Sequence, residues 1–143
     1  MGLKWLTRQL NSLPAVAGRS FLAPFIAGVM QRGETAIRQA VIDQVRLLSL
    51  ASEQLAYEKS VPHANVVSEL FCGFCDDLFH PKSAEWVSQF TEDELKGLAH
   101  LYGVLSEAAS SDAVSVSEIL KDPRWRRVIA VAKEVYTCLN ASA

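Results

Sequence analysis

The stretch from Glu34 to Glu58, ETAIRQAVIDQVRLLSLASEQLAYE, decides the fold class because it is the longest segment with helical spacing. Its apolar side chains recur at three- and four-residue steps, at Ile37, Val41, Val45, Leu48 and Leu55. Charged residues such as Arg38 and Asp43 occupy the other sides, a pattern typical of an amphipathic helix. At about 1.5 Å per residue, the segment predicts a single rod of about 37 Å that can organise a bundle.

Three further segments have the same spacing and predict long helices at residues 64–79, 92–109 and 123–140. The third of the four long helices is expected to point five side chains inward, Leu95, Leu98, Leu101, Tyr102 and Leu105. Shorter helices are predicted at residues 3–13 and 20–31, with Gly33 as a stop, and just before Trp86 and Leu120.

Start signals support several of these helices. Thr91 with Glu94, and Ser115 with Glu118, have the spacing of capping boxes, in which a hydroxyl and a carboxylate satisfy free amides. Pro123 is expected at the first position of the last helix. The chain shows no internal repeat, no linker and almost no alternating apolar pattern. We therefore predict one domain, 1–143, that is all-α with a four-helix-bundle-like core and short accessory helices at the N-terminus and in the connections.

The length and composition of the chain allow this domain to fold without a disulfide bond or a bound metal. The chain has 143 residues, of which 50% are hydrophobic, and its net charge is −2. That balance argues against a general nucleic-acid binder, which needs a basic excess. Residues 1–33 carry +4 and the remainder −6. We expect residues 1–33 to form a basic apolar hairpin on the bundle, or alternatively a peripheral membrane contact; Arg19 and Pro24 interrupt any transmembrane segment.

The three cysteines indicate a reducing, cytoplasmic location. Thiol and imidazole groups are common metal ligands and redox groups, and the chain has them at Cys72, Cys75 and His80. A metal- or redox-active helical protein is therefore one alternative function. A zinc site needs four ligands, however, and no second Cys-x-x-Cys or His-x3-His is present. Since Cys75 falls within a predicted helix rather than at its start, core cysteines are expected, with no metal and no cofactor.

No catalytic signature is visible, and two clusters are left as candidate partner-binding residues. One surrounds Trp86, which is either a lid on the bundle or an exposed anchor, and contains Asp76, Asp77, Glu92 and Asp93. Asp77 is expected to be an exposed acid near a helix end. The other cluster contains Arg124, Trp125 and Arg127. Its arginines could meet a partner, or they could pair with acids such as Asp122 while Trp125 packs in the core.

These observations favour a non-enzymatic module that binds another protein, such as a stoichiometric inhibitor, an immunity-type factor or an anti-activator. The reasons are a complete predicted core, segregated charge and aromatic or arginine anchors without a catalytic motif. The sequence does not identify the partner or the oligomeric state.

Overall fold

The computed structural model describes the backbone of residues 26–141 and the side chains of residues 36–141. This part of the chain contains helices and no strand. In chain order the helices are α1 (Ile26–Ser49), α2 (Ala51–Ser60), α3 (Val66–Cys75), α4 (Ala84–Val87), α5 (Glu92–Ala108), α6 (Val116–Ile119) and α7 (Pro123–Ala141). The described chain is all-α, as the apolar spacing predicts.

Four helices, α1, α3, α5 and α7, surround a shared core. α7 packs against both α1 and α5, and α3 completes the ring by contacting the same two helices. The shorter α2 contacts α1 and α6. This arrangement is compatible with the predicted four-helix-bundle-like core, and the two short helices predicted in the connections are present as α4 and α6.

Apolar side chains from six of these helices fill the core. Burying a large apolar side chain contributes about 1.5–3 kcal/mol, so the core supplies the main stabilising term. The largest fully buried apolar side chains are those of Trp125, Phe74, Leu48, Leu70, Leu98, Leu101, Leu105, Ile119 and Leu139. Because α7 packs against both α1 and α5, it is the central helix of this core.

The predicted single rod from Glu34 to Glu58 is wrong, because the helix breaks at Leu50. Leu50 has an extended backbone, with φ −128° and ψ 104°, that separates α1 from α2. Gln54 stabilises the break, since its Nε2 donates to the carbonyl oxygens of Leu47 and Leu48 at 3.0 and 3.1 Å. These carbonyls belong to the last turn of α1, where regular helical bonding ends, and that of Leu47 also accepts from the amide of Leu50 at 3.4 Å.

The predicted stop at Gly33 is also wrong, because α1 runs without a break from Ile26 to Ser49. Residues 26–33 are therefore part of α1, while the predicted basic hairpin of residues 1–33 falls mainly on residues outside the described range and stays a prediction. The predicted helix at residues 3–13 and the predicted helix start at Ser20 lie outside the described residues.

Helix α3 ends at Cys75, four residues before the predicted end at Phe79. From this point the carbonyls of Cys72 and Phe74 accept from the amides five residues later as well as from those four residues later. The amide of Asp77 donates to the carbonyl of Cys72 at 3.2 Å, and the amide of Phe79 to that of Phe74 at 3.0 Å. Both bonds span five residues, which is π-type spacing. Asp77 lies seven residues after Leu70 and three after Phe74, both fully buried, so helical spacing already directs it toward the core.

The start signals are confirmed in α5 and α7, which begin where they predict. In α5, Thr91 Oγ1 accepts from the amide of Glu94, and Glu94 Oε2 accepts from the amide of Thr91 at 2.8 Å. In α6, Ser115 Oγ accepts from the amide of Glu118, but Glu118 Oε2 accepts from the amide of Val114. The second half of that predicted box is therefore displaced by one residue.

Two glycines of α5 should respond differently to alanine. A Cβ at Gly103 would meet no atom within 4 Å, whereas a Cβ at Gly97 would lie 3.2 Å from Cγ2 of Val135. Because glycine inside a helix costs about 0.5–1 kcal/mol relative to alanine, Gly103→Ala should raise the free energy of unfolding by that amount. Gly97→Ala should raise the free energy of unfolding by less than this amount, or should lower it. Urea unfolding measures both, and equal gains would contradict the tight contact at Gly97.

Candidate functional site

A row of aromatic side chains lies in the connection between α3 and α5 and at its borders. Phe79 stacks on both Phe74 and Tyr102, with ring centroids 5.6 and 4.9 Å apart and interplanar angles of 19° and 26°. Trp86 meets Phe79 edge-on at 5.4 Å and 90°, and it lies 4.7 Å from Phe90. Offset and edge-on contacts of this kind stabilise aromatic pairs beyond their burial. The row therefore holds Phe79 from several directions.

Tyr102 is the exposed end of this row. The sequence predicts that it points inward, but its side chain is 40% exposed, so that prediction is wrong. Among residues 36–141, only Tyr102 and Val114 are exposed large hydrophobic residues. The stack on Phe79 accounts for the position of Tyr102 at the edge of the core.

The opposite end of the row rests on a buried ion pair. The guanidinium of Arg38 lies 5.5 Å from the ring centroid of Phe90. Its Nη1 and Nη2 donate to the two carboxylate oxygens of Glu94 at 2.9 and 2.8 Å. They also donate to the carbonyl oxygens of Gln89 and Leu139 at 2.9 and 3.0 Å. One arginine thus ties α1 to the connection, to α5 and to α7.

Two buried polar groups in the connection have no hydrogen-bond partner among the described residues. They are the carboxylate of Asp77, a residue that is 1% exposed, and the indole Nε1 of Trp86, a residue that is 4% exposed. The prediction that Asp77 is exposed is wrong, and Trp86 covers the core rather than standing out as an anchor. Leaving such groups unpaired costs about 1–3 kcal/mol each, so the connection contains a local weakness in an otherwise well-packed fold.

The environment of Asp77 makes its ionisation unfavourable. Burial, with a smaller effect from the neighbouring charge of Asp76, raises the pKa of the Asp77 carboxyl from 3.8 to about 6. A carboxyl whose pKa is higher in the folded than in the unfolded state destabilises the fold when it ionises. The cost is therefore absent below about pH 4, grows as the pH rises, and is complete above about pH 6.

Asp77→Asn should remove this pH-dependent cost. We expect the free energy of unfolding to rise by about 1–3 kcal/mol near pH 7.5 and to stay close to that of the wild type near pH 4. Chemical denaturation at the two pH values measures the difference. Asp76→Asn is the matched control, since Asp76 is exposed and its substitution should have a smaller effect. A gain of equal size at both pH values would show that the charge of Asp77 is not the cause.

An open pocket of about 490 Å³ lies on the outside of the connection. It is lined by Phe79, His80, Pro81, Lys82 and Ser83. Asp76 precedes these residues and Glu85 follows them, each within about 10 Å of extended chain. Both acids are exposed, and neither forms an ion pair with another described residue. The pocket together with Asp76 and Glu85 is called the connection surface below.

The cysteines near this surface are half-buried thiols. Burial raises the pKa of Cys72 and raises that of Cys75 to about 12, so both thiols stay protonated at neutral pH. His80 lies beside them in sequence, but its Nε2 is 2.6 Å from the backbone oxygen of Asp77. The described part of the chain brings no three His, Cys, Asp or Glu side chains together in a metal-binding arrangement. The metal or redox alternative stays a prediction.

The second predicted cluster, at the start of α7, is arranged around internal contacts. Trp125 is fully buried, and its Nε1 donates to Oε1 of Gln54 at 3.0 Å. Arg124 binds Asp122 through Nε and Nη2 at 3.1 and 2.7 Å, which lowers the pKa of Asp122 to about 2. Nη1 of Arg127 lies 3.4 Å from Oε2 of Glu107, and both side chains are exposed. Trp125 is therefore a core residue and cannot serve as a surface anchor.

The eight predicted partner-binding residues thus fall into three groups. Asp76, Asp77 and Trp86 belong to the connection, where only Asp76 is exposed. Glu92 and Asp93 are exposed in the first turn of α5. Arg124, Trp125 and Arg127 lie on α7, with Trp125 buried. A binding role for the five exposed residues stays a prediction. Glu85, another acid near Trp86, is exposed as well, and Tyr102 is an exposed residue that the sequence places in the core.

Two polar contacts of the core were not predicted. The capping box identifies Glu94, but its ion-pair partner Arg38 lies 56 residues away in sequence. Gln54 and Trp125 are separated by 71 residues. Pairs at such separations leave no trace in local spacing, although a glutamine within the apolar side of a predicted helix could have indicated a buried partner.

The chain matches no protein-family model, no curated protein and no solved structure. Its fold and its site are therefore interpreted from their own geometry. Within residues 26–141, none of the helices combines the length and the apolar character needed to cross a membrane. The predicted membrane contact of residues 1–33 falls mainly on residues outside the described range and stays a prediction.

Proposed function

We propose that this protein is a non-enzymatic module that binds another protein, and that the connection surface receives a basic region of that partner. One observation carries the proposal: Asp76 and Glu85, which lie three residues before and two residues after the pocket lining, are exposed and form no ion pair with another described residue. Lys82 in the pocket lining carries one positive charge, so the two acids leave this surface with a net charge of −1, which attracts a basic partner and increases its association rate. Stoichiometric inhibitors, immunity-type factors and anti-activators act through such docking.

The pocket between these acids suits an apolar anchor from the partner. One wall is Phe79, which is held in place by its contacts with Phe74, Trp86 and Tyr102. A wall that is already fixed does not lose further side-chain entropy when a partner docks, and this favours affinity. A lysine or arginine next to the anchor would then face Asp76 or Glu85.

The basic cluster of α7 supports the same choice of surface by contrast. Arg124 is bound to Asp122 on its own chain, and Arg127 lies beside Glu107. Surface arginines that already have acidic neighbours offer less net charge to a partner. The unpaired acids of the connection surface are therefore the stronger candidates for binding a different protein.

Affinity capture with charge-reversed variants tests this proposal. Full-length wild-type protein and the double variant Asp76→Lys/Glu85→Lys are used to capture proteins from a lysate of the source cells. The captured partner is then purified, and its binding is measured by calorimetry. The matched control, Asp112→Lys/Glu134→Lys, makes the same charge change at exposed positions elsewhere. Circular dichroism confirms that all three proteins keep their helicity.

The expected result is a stoichiometric partner whose affinity falls at least about tenfold in the connection-surface variant and less than about threefold in the control. Equal affinity of the two variants would contradict the assignment of this surface. Failure of the wild type to capture any stoichiometric partner would contradict the binding function itself.

A further inference from the structure

The ring of Tyr102 is in contact with another ring on one face only. It stacks on Phe79, with the centroids 4.9 Å apart and the ring planes inclined by 26°. Among residues 36–141 no second ring contacts Tyr102, and no arginine or lysine lies over it. The side chain is nevertheless 40% exposed. The exposed part therefore includes the ring face that is turned away from Phe79.

The exposed residues next to Tyr102 on the surface of α5 leave this face accessible. Ala99 and Ser106 lie about one helical turn before and after it, and both are small. Gly103 follows Tyr102 directly, and a Cβ built there would meet no atom within 4 Å. None of these three residues carries a charge, so α5 itself supplies no cation to the ring at these positions.

The stack on Phe79 places this ring beside the connection surface. Phe79 lines the pocket, and it also meets Trp86 edge-on at 5.4 Å. Asp76 lies three residues before Phe79, and Glu85 directly precedes Trp86. These two acids together with Lys82 give the connection surface a net charge of −1. An open aromatic face and an excess of negative charge therefore lie next to each other.

We propose that the open face of Tyr102 receives an arginine side chain of the partner's basic region, with the guanidinium stacked on the ring. This inference rests on the proposed function, because it concerns the same surface. The face of a tyrosine ring attracts a cation, and the planar guanidinium can also stack on it. The ammonium of lysine is a compact and more strongly hydrated charge, and it gains less from this contact. The acids of the connection surface attract the basic region, and Tyr102 selects arginine within it.

The ring is suited to this contact because the fold already holds it in place. Tyr102 rests on Phe79, which in turn stacks on Phe74 and meets Trp86. A side chain that is fixed before association loses little rotamer freedom when a partner docks. Tyrosine and arginine are also the residue types, with tryptophan, that most often dominate the binding energy of protein interfaces.

Short peptides test the proposal without the natural partner. An acetylated tripeptide amide, arginine-leucine-arginine, is titrated into the full-length protein and followed by NMR, as are its lysine and citrulline analogues. Lysine keeps the charge without the planar group, and citrulline keeps the planar group without the charge. The arginine peptide should bind the wild type about two- to fivefold more tightly than the lysine peptide, which is the range for an exposed contact of a cation with a ring. The citrulline peptide should bind most weakly.

Variants of the chain separate stacking from charge. Tyr102→Phe keeps the ring and should keep the preference for arginine, whereas Tyr102→Leu should bind the arginine and lysine peptides equally. Asp76→Lys/Glu85→Lys should weaken both peptides and leave the ratio of their affinities unchanged. Tyr136→Leu replaces a half-buried tyrosine of α7 and is the matched control, with no change expected in either affinity.

A second variant leaves Tyr102 itself intact. Ala99→Arg places a guanidinium of the chain about one helical turn from the ring, where it competes with the peptide and should abolish the preference for arginine. Circular dichroism confirms that each variant is folded. A wild type that binds no peptide, or binds the arginine and lysine peptides equally, overturns the proposal. So does a preference that survives in both Tyr102→Leu and Ala99→Arg. The proposed function is decided separately, by the affinity of the captured partner for Asp76→Lys/Glu85→Lys.

Discussion

Replacing Glu94 with glutamine should lower the free energy of unfolding by about 3 kcal/mol. Glu94 is fully buried and binds both Nη atoms of Arg38, so its neutral analogue leaves the charge of Arg38 without a counter-ion in a mostly buried position. Removing one partner of a buried pair is costly because the other partner remains desolvated. Chemical denaturation of the full chain measures the loss.

The exposed pair of Arg46 with Glu53 provides the matched control. Their side chains are 51% and 36% exposed, and Glu53→Gln should cost no more than about 1 kcal/mol. The double variant Arg38→Met/Glu94→Met should recover much of the loss, since it removes both charges together. If Glu94→Gln and Glu53→Gln lower the free energy of unfolding by equally small amounts, the Arg38–Glu94 pair does not hold α1, the connection, α5 and α7 together as described.

Trp125→Ala should destabilise the fold by about 3–5 kcal/mol, because it removes the largest fully buried side chain of residues 36–141 and leaves a cavity. Trp125→Phe separates packing from hydrogen bonding. It keeps an aromatic ring but leaves Oε1 of Gln54 without the donor that lies at 3.0 Å, at an expected cost of about 1–3 kcal/mol. Thermal and urea unfolding measure both variants.

Trp86→Phe is the control for Trp125→Phe. The Nε1 of Trp86 has no acceptor among the described residues, so replacing this indole removes an unpaired buried donor along with some packing. Its cost should therefore be smaller than that of Trp125→Phe. The reverse order would mean that the Gln54–Trp125 hydrogen bond contributes nothing measurable.

The long helices could be predicted because their apolar spacing is local information. α5 begins at Glu92 and α7 at Pro123, as their start signals predict. The break at Leu50 could not be predicted from spacing, since the apolar pattern continues across it on both sides. What stabilises the break is the side chain of Gln54, whose amide also binds Trp125 from the far end of the sequence.

The candidate site was predicted less completely than the fold. Asp76 is among the predicted residues, but Asp77 is buried where an exposed acid is predicted, although its spacing from the buried Leu70 and Phe74 indicates an inward position. The sequence offers Trp86 and Trp125 as candidate anchors because nothing in local spacing separates an exposed tryptophan from a buried one. The outward position of Tyr102 depends on its stack with Phe79, a contact between distant parts of the chain.

The local weakness of the connection fits a role in binding. Asp77 and Trp86 carry buried polar groups with no hydrogen-bond partner among residues 36–141, in the same segment that presents the open pocket. Functional segments are often drawn from the less stable parts of a fold because stability there is not the only constraint. We therefore expect the connection to open locally more often than α5 or α7, and a bound partner to suppress that opening.

Hydrogen exchange on the complex tests the central claim most directly. Amide exchange of the full chain is followed by mass spectrometry with and without the purified partner. The account predicts slower exchange in residues 76–91 when the partner is bound, and it predicts the same protection in the control variant Asp112→Lys/Glu134→Lys. Protection confined to α1 or α7, with exchange in residues 76–91 unchanged, would contradict the connection surface as the binding site.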